Sequence, residues 1–390
     1  MRWAVVASLG LAACYQPSVA DGVPCALGVA TSCPEGQTCV AMGNEAVCEP
    51  IGTGGNTDGG SSTSDGGGTL PVIPGWWNPA WTLRQPITVT AGSNGSPAGY
   101  AVAFSIDHAS LVTAGQALAS GDDVRVVGSD GTELDRVLDT GAQWDSAGTT
   151  IWFQVAAPLD ATAAAQYWLY YGNPDAGTPP ADSSAVFVLA DGFEGDLSAW
   201  DLDTGVGPST LQAHGGATSI LIPAQDNTGN GITAMSINQT DTAFDAWWCI
   251  DDTSAINLFQ IVRETDTISY FTNLQPPGGD GTMASTWDIS KLVSGTYSEL
   301  VAPPADQTVV PNDIWFRVTV YAYGKTMAVG INGTTYVPTS GYADIDHALT
   351  GTVGAGVYFS NGNVWVDDAT VRPLVVPEPT VAVGPAQAGS

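Results

Sequence analysis

Thr150-Ile151-Trp152-Phe153-Gln154-Val155 and, after a short polar break, Gln166-Tyr167-Trp168-Leu169-Tyr170-Tyr171-Gly172-Asn173-Pro174 decide the fold. Successive strand residues point to opposite faces, so alternation rich in β-branched and aromatic side chains marks a half-buried strand. Gly172-Asn173-Pro174 is a strong stop. Working outward, the period of two recurs at Ile87-Thr88-Val89-Thr90 and Asp123-Val124-Arg125-Val126-Val127. A turn at Ser129-Asp130-Gly131 and a short run at Glu133-Leu134 follow. A weak helical turn is expected at His108-Ala109-Ser110-Leu111. These pieces set a first β-sandwich over residues 76–175.

The pattern continues through a second, larger β domain at 185–375. Strands are expected at Thr218–Ile222, Ala246–Ile250, Leu258–Arg263, Ile268–Thr272, Ile314–Tyr321, Thr326–Ile331, Thr334–Val337, Val353–Phe359 and Asn363–Pro373. Asn332-Gly333 is a type I′ hairpin signal, because both central residues of that turn need positive φ. No stretch holds a helical period for 12 residues, and short strands separated by Gly, Asn and Asp predict a sandwich or jelly roll. The expected fold class is therefore all-β: two β-sandwich (jelly-roll) domains after a small disulfide-rich module and a flexible linker. Residues 376–390, a Pro/Ala/Gly tail, are expected to be disordered.

The N-terminus sets the expected location. Met1-Arg2 precede an apolar run from Trp3 to Ala13, too short for a bilayer of roughly 30 Å. Leu11-Ala12-Ala13-Cys14 resembles a bacterial lipobox, which implies a signal peptide at 1–13 and a lipid on the Cys14 sulfur. The mature chain would be exported and anchored to a membrane through that lipid. Tyr15 lacks the inner-membrane-retaining Asp, so the outer membrane or cell surface is expected. Cys25, Cys33, Cys39 and Cys48 in the 14–50 module read as two disulfides, with three pairings open. Residues 51–75 are a Gly/Ser-rich linker that holds the later domains off a lipid surface. Cys249, in Ala246-Trp247-Trp248-Cys249-Ile250, reads as a buried free thiol.

Charge excludes one class of partner. Nine basic residues stand against 39 acidic ones, for a net charge of −30, and nucleic acid would be repelled. With 44% apolar and only 12% charged residues, the chain is not a charge-rich disordered one. After Ala13 no segment approaches 18 apolar residues.

Two resemblances follow from these motifs. Trp81, Arg84 and Ile87, then Asp-Asp-Val-Arg-Val, Ile-Trp-Phe-Gln-Val and Tyr-Trp-Leu-Tyr-Tyr-Gly-Asn, resemble domain of unknown function 2341, a family of prokaryotic surface proteins. That family implies no catalysis, and Asp122, Asp123 and Arg125 read as strand-edge structure. The region opening at Asp191-Gly192-Phe193-Glu194-Gly195-Asp196-Leu197-Ser198-Ala199-Trp200 and closing at Val364-Trp365-Val366-Asp367-Asp368 resembles concanavalin-like and laminin-G-like jelly rolls. The second resemblance implies glycan or protein ligands, often with calcium.

Three chemistries are candidates. Calcium wants several hard oxygens, and Asp191, Glu194, Asp196, Asp367 and Asp368 could meet if the first and last strands of the domain are neighbours. Asp226-Asn227-Thr228-Gly229-Asn230-Gly231 is similar to an EF-hand loop but places Ile237 where Glu belongs. Glycoside hydrolysis needs paired carboxylates. Arg263-Glu264-Thr265-Asp266 lacks the third acid of a glucanase strand, and His108, His214 and His347 are widely separated. Sugar stacking needs exposed aromatic faces, for which Trp247, Trp248, Tyr270, Trp287 and Tyr358 are candidates. Trp247 and Trp248 must face opposite sides of their strand. The expected function is a lipid-anchored surface protein that recognises glycans or extracellular matrix without catalysis. The alternatives are a structural envelope or surface-layer component and a glycan-degrading enzyme.

Overall fold

The computed structural model describes residues 75–389 except 227–228, 253–255, 276–285, 302–309, 311 and 337–349, together with three short strands nearer the N-terminus. The expected signal peptide, Cys14 and the 51–74 part of the linker lie outside the described residues. The chain divides into two units, Met1–Thr69 and Leu70–Ser390. In the first, β1 (Val23–Pro24), β2 (Gln37–Met42) and β3 (Glu45–Pro50) form an antiparallel sheet in which Cys39 stands opposite Cys48. The side chains of the four module cysteines lie outside the described residues.

The second unit begins with β4 (Leu83–Thr90), β5 (Ala101–Ile106), α1 (His108–Thr113), β6 (Arg125–Gly128), β7 (Glu133–Leu134), β8 (Arg136–Leu138), β9 (Thr149–Gln154) and β10 (Ala164–Tyr171). Asp107 caps α1 by accepting from the Ser110 N–H. In β9, Ile151 and Phe153 are fully buried, while Trp152 points the other way and meets Phe187 edge-on. In β10, Tyr167, Leu169 and Tyr171 enter the same core, and Trp168 lies outside under the Arg84 guanidinium.

The chain then builds a second sandwich: β11 (Leu189–Asp191), β12 (Trp200–Leu202), β13 (Gly207–Ser209), β14 (Ser219–Ile222), β15 (Asn230–Ala234), β16 (Thr242–Ile250), β17 (Ile256–Glu264), β18 (Ile268–Gln275), β19 (Thr286–Val293), β20 (Thr296–Val301), β21 (Phe316–Tyr323), β22 (Thr326–Ile331), β23 (Thr334–Tyr336), β24 (Thr352–Ser360) and β25 (Val364–Pro373). One sheet runs β13-β14-β25-β16-β21-β22-β23, with β11 also on β25; the other runs β12-β15-β24-β17-β18-β19-β20. Asn332 and Gly333 both have positive φ, as the turn between β22 and β23 requires. The two sheets share one apolar core.

A buried amide ties those sheets together. Gln260 of β17, 0% exposed, accepts from Trp248 Nε1 and donates to the Phe244 and Val318 carbonyls of the opposite sheet. An amide taken out of water costs free energy unless its hydrogen bonds are remade, and here both ends of the side chain are matched. Cys249 is a buried free thiol, pushed up to about 11 by burial.

The tail departs from expectation. Residues 376–390 contribute β26 (Thr380–Val383) and β27 (Gln387–Ala388), both paired with β4. The second sandwich is thus inserted within the first, whose sheet β26-β4-β10-β6-β7 closes only when the chain returns. The strands are short and partly exposed edge strands, so their apolar signal is weak.

Polar clamps join the two sandwiches. Arg317 donates to Asp245 in its own sheet and to both carboxylate oxygens of Asp139 in the first sandwich. Burial opposes the Arg317 charge, but Asp245 and Asp139 outweigh it and hold the guanidinium ionised. Arg372, 6% exposed, grips Glu378 just ahead of β26, and Tyr100 donates to the same carboxylate. Glu378→Ala leaves a buried cation without its partner, so urea unfolding should show a loss of about 3 kcal/mol. A loss under about 1 kcal/mol, the scale of an exposed pair, would mean that this pair does not hold the tail.

Candidate functional site

Strand alternation sorts the residues of the seven-stranded sheet. Ile232, Leu258, Val262, Tyr270, Trp287, Ile289, Ala355 and Val357 enter the core. Their strand neighbours form the opposite face: Thr233 on β15, Asn257, Phe259 and Ile261 on β17, Ser269, Phe271 and Asn273 on β18, and Tyr358 on β24. This face carries a groove of about 770 Å³, within the size range of small-molecule sites.

Glycine opens the groove floor. On β15 and β24 the outward positions include Gly231, Gly354 and Gly356. A Cβ on Gly356 would lie 2.5 Å from the Phe259 ring, and one on Gly231 would lie 2.3 Å from the Ala355 carbonyl oxygen. Aromatics cross the groove. Phe259 and Phe271 meet edge-to-face at 6.2 Å, Phe271 and Tyr297 lie 6.3 Å apart, and Tyr297 and Tyr358 are about half exposed.

A carboxyl group marks each end. At one, Glu264 accepts from Thr233 Oγ1 and Ser269 Oγ, each at 3.3 Å. Burial raises its pKa, and the Asp203 charge adds to the effect. The β17–β24 register shifts between Ile261 and Glu264, and Arg263 has φ of 55°. Such a bulge re-aims the following side chain, and a non-glycine residue in the left-handed region is held there by its surroundings. Arg263 is held by the Thr240 carbonyl and Asp241.

At the other end, Asp288 accepts from Ser290 Oγ at 2.6 Å, Asn273 Nδ2 at 3.3 Å and Tyr297 OH at 3.4 Å. Burial raises its pKa as well. Asn273 is 4% exposed, and its Oδ1 has no hydrogen-bond partner among the described residues. Ser269 and Asn273 are four residues apart on β18, so the two ends are separated by about 13 Å at roughly 3.3 Å per residue.

The aromatic candidates from sequence divide sharply. Tyr358 lines the groove, 46% exposed. Trp248, Tyr270 and Trp287 are core residues, at most 4% exposed, and present no face to a sugar. Trp247 does face opposite to Trp248, but it stacks on His214 at 3.7 Å and donates to Thr140 of the first sandwich. Phe259, Phe271, Asn273 and Asp288 were not foreseen. The alternation of Phe259 with Leu258 and Gln260, and the Gly-x-Gly of β24, were the available signals.

The five expected calcium ligands are engaged separately. The first and last strands do pair, with Asp191 opposite Ala369. Asp191 accepts from the Phe193 N–H and Trp200 Nε1, Glu194 from the Ala217 and Thr218 N–H groups, and Asp196 from Ser198. Asp367 accepts from the His214, Gly215 and Asp368 N–H groups, and Asp368 meets His214 Nδ1 at 2.6 Å. Among the described residues no group of three or more His, Cys, Asp or Glu side chains is placed to hold a metal ion. These carboxylates do not fit a calcium site, since they are occupied in ordering the loop over the domain's opening.

The family model for domain of unknown function 2341 matches residues 120–203, from the loop before β6 to just past β12. No curated protein matches the chain. Among solved structures, a carbohydrate-binding module of family 66 from Bacillus subtilis is 11% identical, with a TM-score of 0.33, covering 45% of this chain and 97% of its own. A Bacillus subtilis protein of unknown function with a galectin-like fold is 12% identical, with a TM-score of 0.34, covering 48% and 96%. Domain 4 of an extracellular arabinanase from Geobacillus stearothermophilus, solved with arabinotriose, is 10% identical, with a TM-score of 0.29, covering 47% and 80%. Each likeness spans less than half of this chain, and the functional reading below rests on the groove's own residues.

Asp367 supplies a test of the loop. It is 0% exposed, and burial, then the neighbouring Asp368 charge, push it from 3.8 up to about 7. The folded chain therefore keeps a proton that the unfolded chain releases, and stability falls as pH rises between 3.8 and about 7. Asp367→Asn should remove that component, giving a shallower fall in unfolding free energy across this window. An unchanged slope would contradict the placement of Asp367.

Proposed function

We propose that this chain is a lipid-anchored cell-surface protein whose second sandwich binds glycans on its free sheet face. One observation carries the reading: a glycine-floored, aromatic-crossed groove with a hydrogen-bonded polar cluster at each end. Pyranose rings have flat C–H faces that lie against aromatic rings and hydroxyl edges that need polar partners. The groove offers both. Among the described residues its lining has no Lys or Arg, which does not suit phosphate or nucleic acid.

The geometry favours binding over hydrolysis. Glycosidase carboxyl pairs stand about 5–5.5 Å apart in retaining enzymes and roughly 6.5–9.5 Å apart in inverting ones. The ends holding Glu264 and Asp288 are about 13 Å apart along β18. Asp203, the other acid among the described lining residues, is tied to the Gly231 N–H. The exported, lipid-anchored part of the reading rests on Leu11-Ala12-Ala13-Cys14 and is tested by metabolic labelling with a fatty acid, which Cys14→Ala should abolish.

Binding is tested on a glycan array, followed by calorimetry on the strongest hit. Phe259→Ala and Phe271→Ala should each weaken that hit about tenfold, the scale of one lost stacking contact. Undiminished binding in both would remove the groove from the account. Release of reducing ends that Glu264→Gln abolishes would replace the binding role with an enzymatic one.

A further inference from the structure

We infer that the groove selects uncharged oligosaccharide chains over acidic ones, with Asn273 Oδ1 accepting from a sugar hydroxyl at the end away from Glu264. This inference rests on the glycan-binding reading and adds the ligand's class.

The first argument is the direction of the hydrogen bonds. Thr233 and Ser269 face the Glu264 carboxyl group, and Ser290 and Tyr297 face that of Asp288. With the carboxyl groups ionised, each of these hydroxyls spends its proton on its carboxylate and keeps only lone pairs for a ligand. Asn273 Nδ2 is likewise committed to Asp288, which leaves Asn273 Oδ1 as a buried acceptor without a donor among the described residues. A buried acceptor that the ligand leaves unmatched weakens binding. A sugar hydroxyl can donate to it. A uronate carboxylate or a sulfate ester, which only accepts, cannot.

The second argument is charge. Asp203 and Glu264 line the groove, and Asp288 lies beneath Asn273. Lys291 stands opposite Tyr270 of the core face, one residue out of register with Ser290. Arg263 is turned to Asp241. An anionic sugar would bring like charge to a half-buried acidic site on a chain of net charge −30.

The third argument is span. Two polar ends about 13 Å apart cannot both be reached by a single pyranose ring. Affinity should therefore grow with chain length until both ends are occupied.

The test is calorimetry on the full chain with xylo- and cello-oligosaccharides of one to six units and with oligogalacturonides of matched lengths. Neutral chains should tighten by at least about tenfold from the shortest to the longest and then level off. Oligogalacturonides of equal length should bind at least about tenfold more weakly at low salt, and added salt should narrow the gap. Asn273→Ala, with an unchanged unfolding midpoint, should weaken the longest neutral chain more than a disaccharide. Equal or tighter binding of oligogalacturonides overturns the inference while leaving glycan binding in place. Absence of binding by every saccharide in both series overturns the glycan reading and the inference with it.

Discussion

Arg317 is the interaction from which the working geometry follows. Its guanidinium reaches Asp245 in its own sheet and Asp139 across the seam, where Asp139 is also held by Trp152 Nε1. Trp247 beside it donates to Thr140. A largely covered cation with two matched anions fixes orientation more firmly than apolar contact, because a shift leaves charge unpaired. The consequence is an asymmetric second sandwich. The sheet containing β16, β21 and β25 has its outer face turned to the first sandwich, while among the described residues the sheet containing β15, β24, β17 and β18 keeps its outer face open. The insertion strengthens this arrangement, since the returning chain completes the sheet on β4 with Glu378, just ahead of β26, held by Arg372.

The open face becomes a groove because of local sequence choices. Glycines at 231, 354 and 356 remove side chains where strands would otherwise present them, and the Phe259 ring occupies the space over Gly356. The bulge near Arg263 brings Glu264 to Thr233 and Ser269. Gln260 anchors the other side of the same strand to the opposite sheet, so β17 is rigid where it carries Phe259 and Ile261. Binding residues on a rigid strand need little ordering when a ligand arrives, which favours recognition by shape.

Much of the β architecture was legible in period-two alternation. The β9 and β10 runs, Thr326–Ile331 and the Asn332-Gly333 turn stand where the pattern placed them. The tail was not legible, because a strand as short as Thr380–Val383 sets only Val381 and Val383 against the core and depends on its pairing with β4. The aromatic site was misread for a related reason. Trp and Tyr combine a large apolar area with a polar tip, so composition alone does not separate core from surface. Trp248 satisfies its N–H inside the core through Gln260, and Tyr270 and Trp287 are core residues too. The acid cluster at the domain's opening was correctly brought near the closing strand, but backbone N–H groups of residues 214–218 take up the oxygens that a cation would need.

The most direct test is a crystal structure of the chain soaked with a neutral xylohexaose. The account predicts sugar density over Phe259 and Phe271, with a hydroxyl within hydrogen-bond distance of Asn273 Oδ1 and the chain extending toward Glu264. Density confined to the seam hollow of about 160 Å³ beside Asp139 and Arg317, or to the first sandwich, would contradict it.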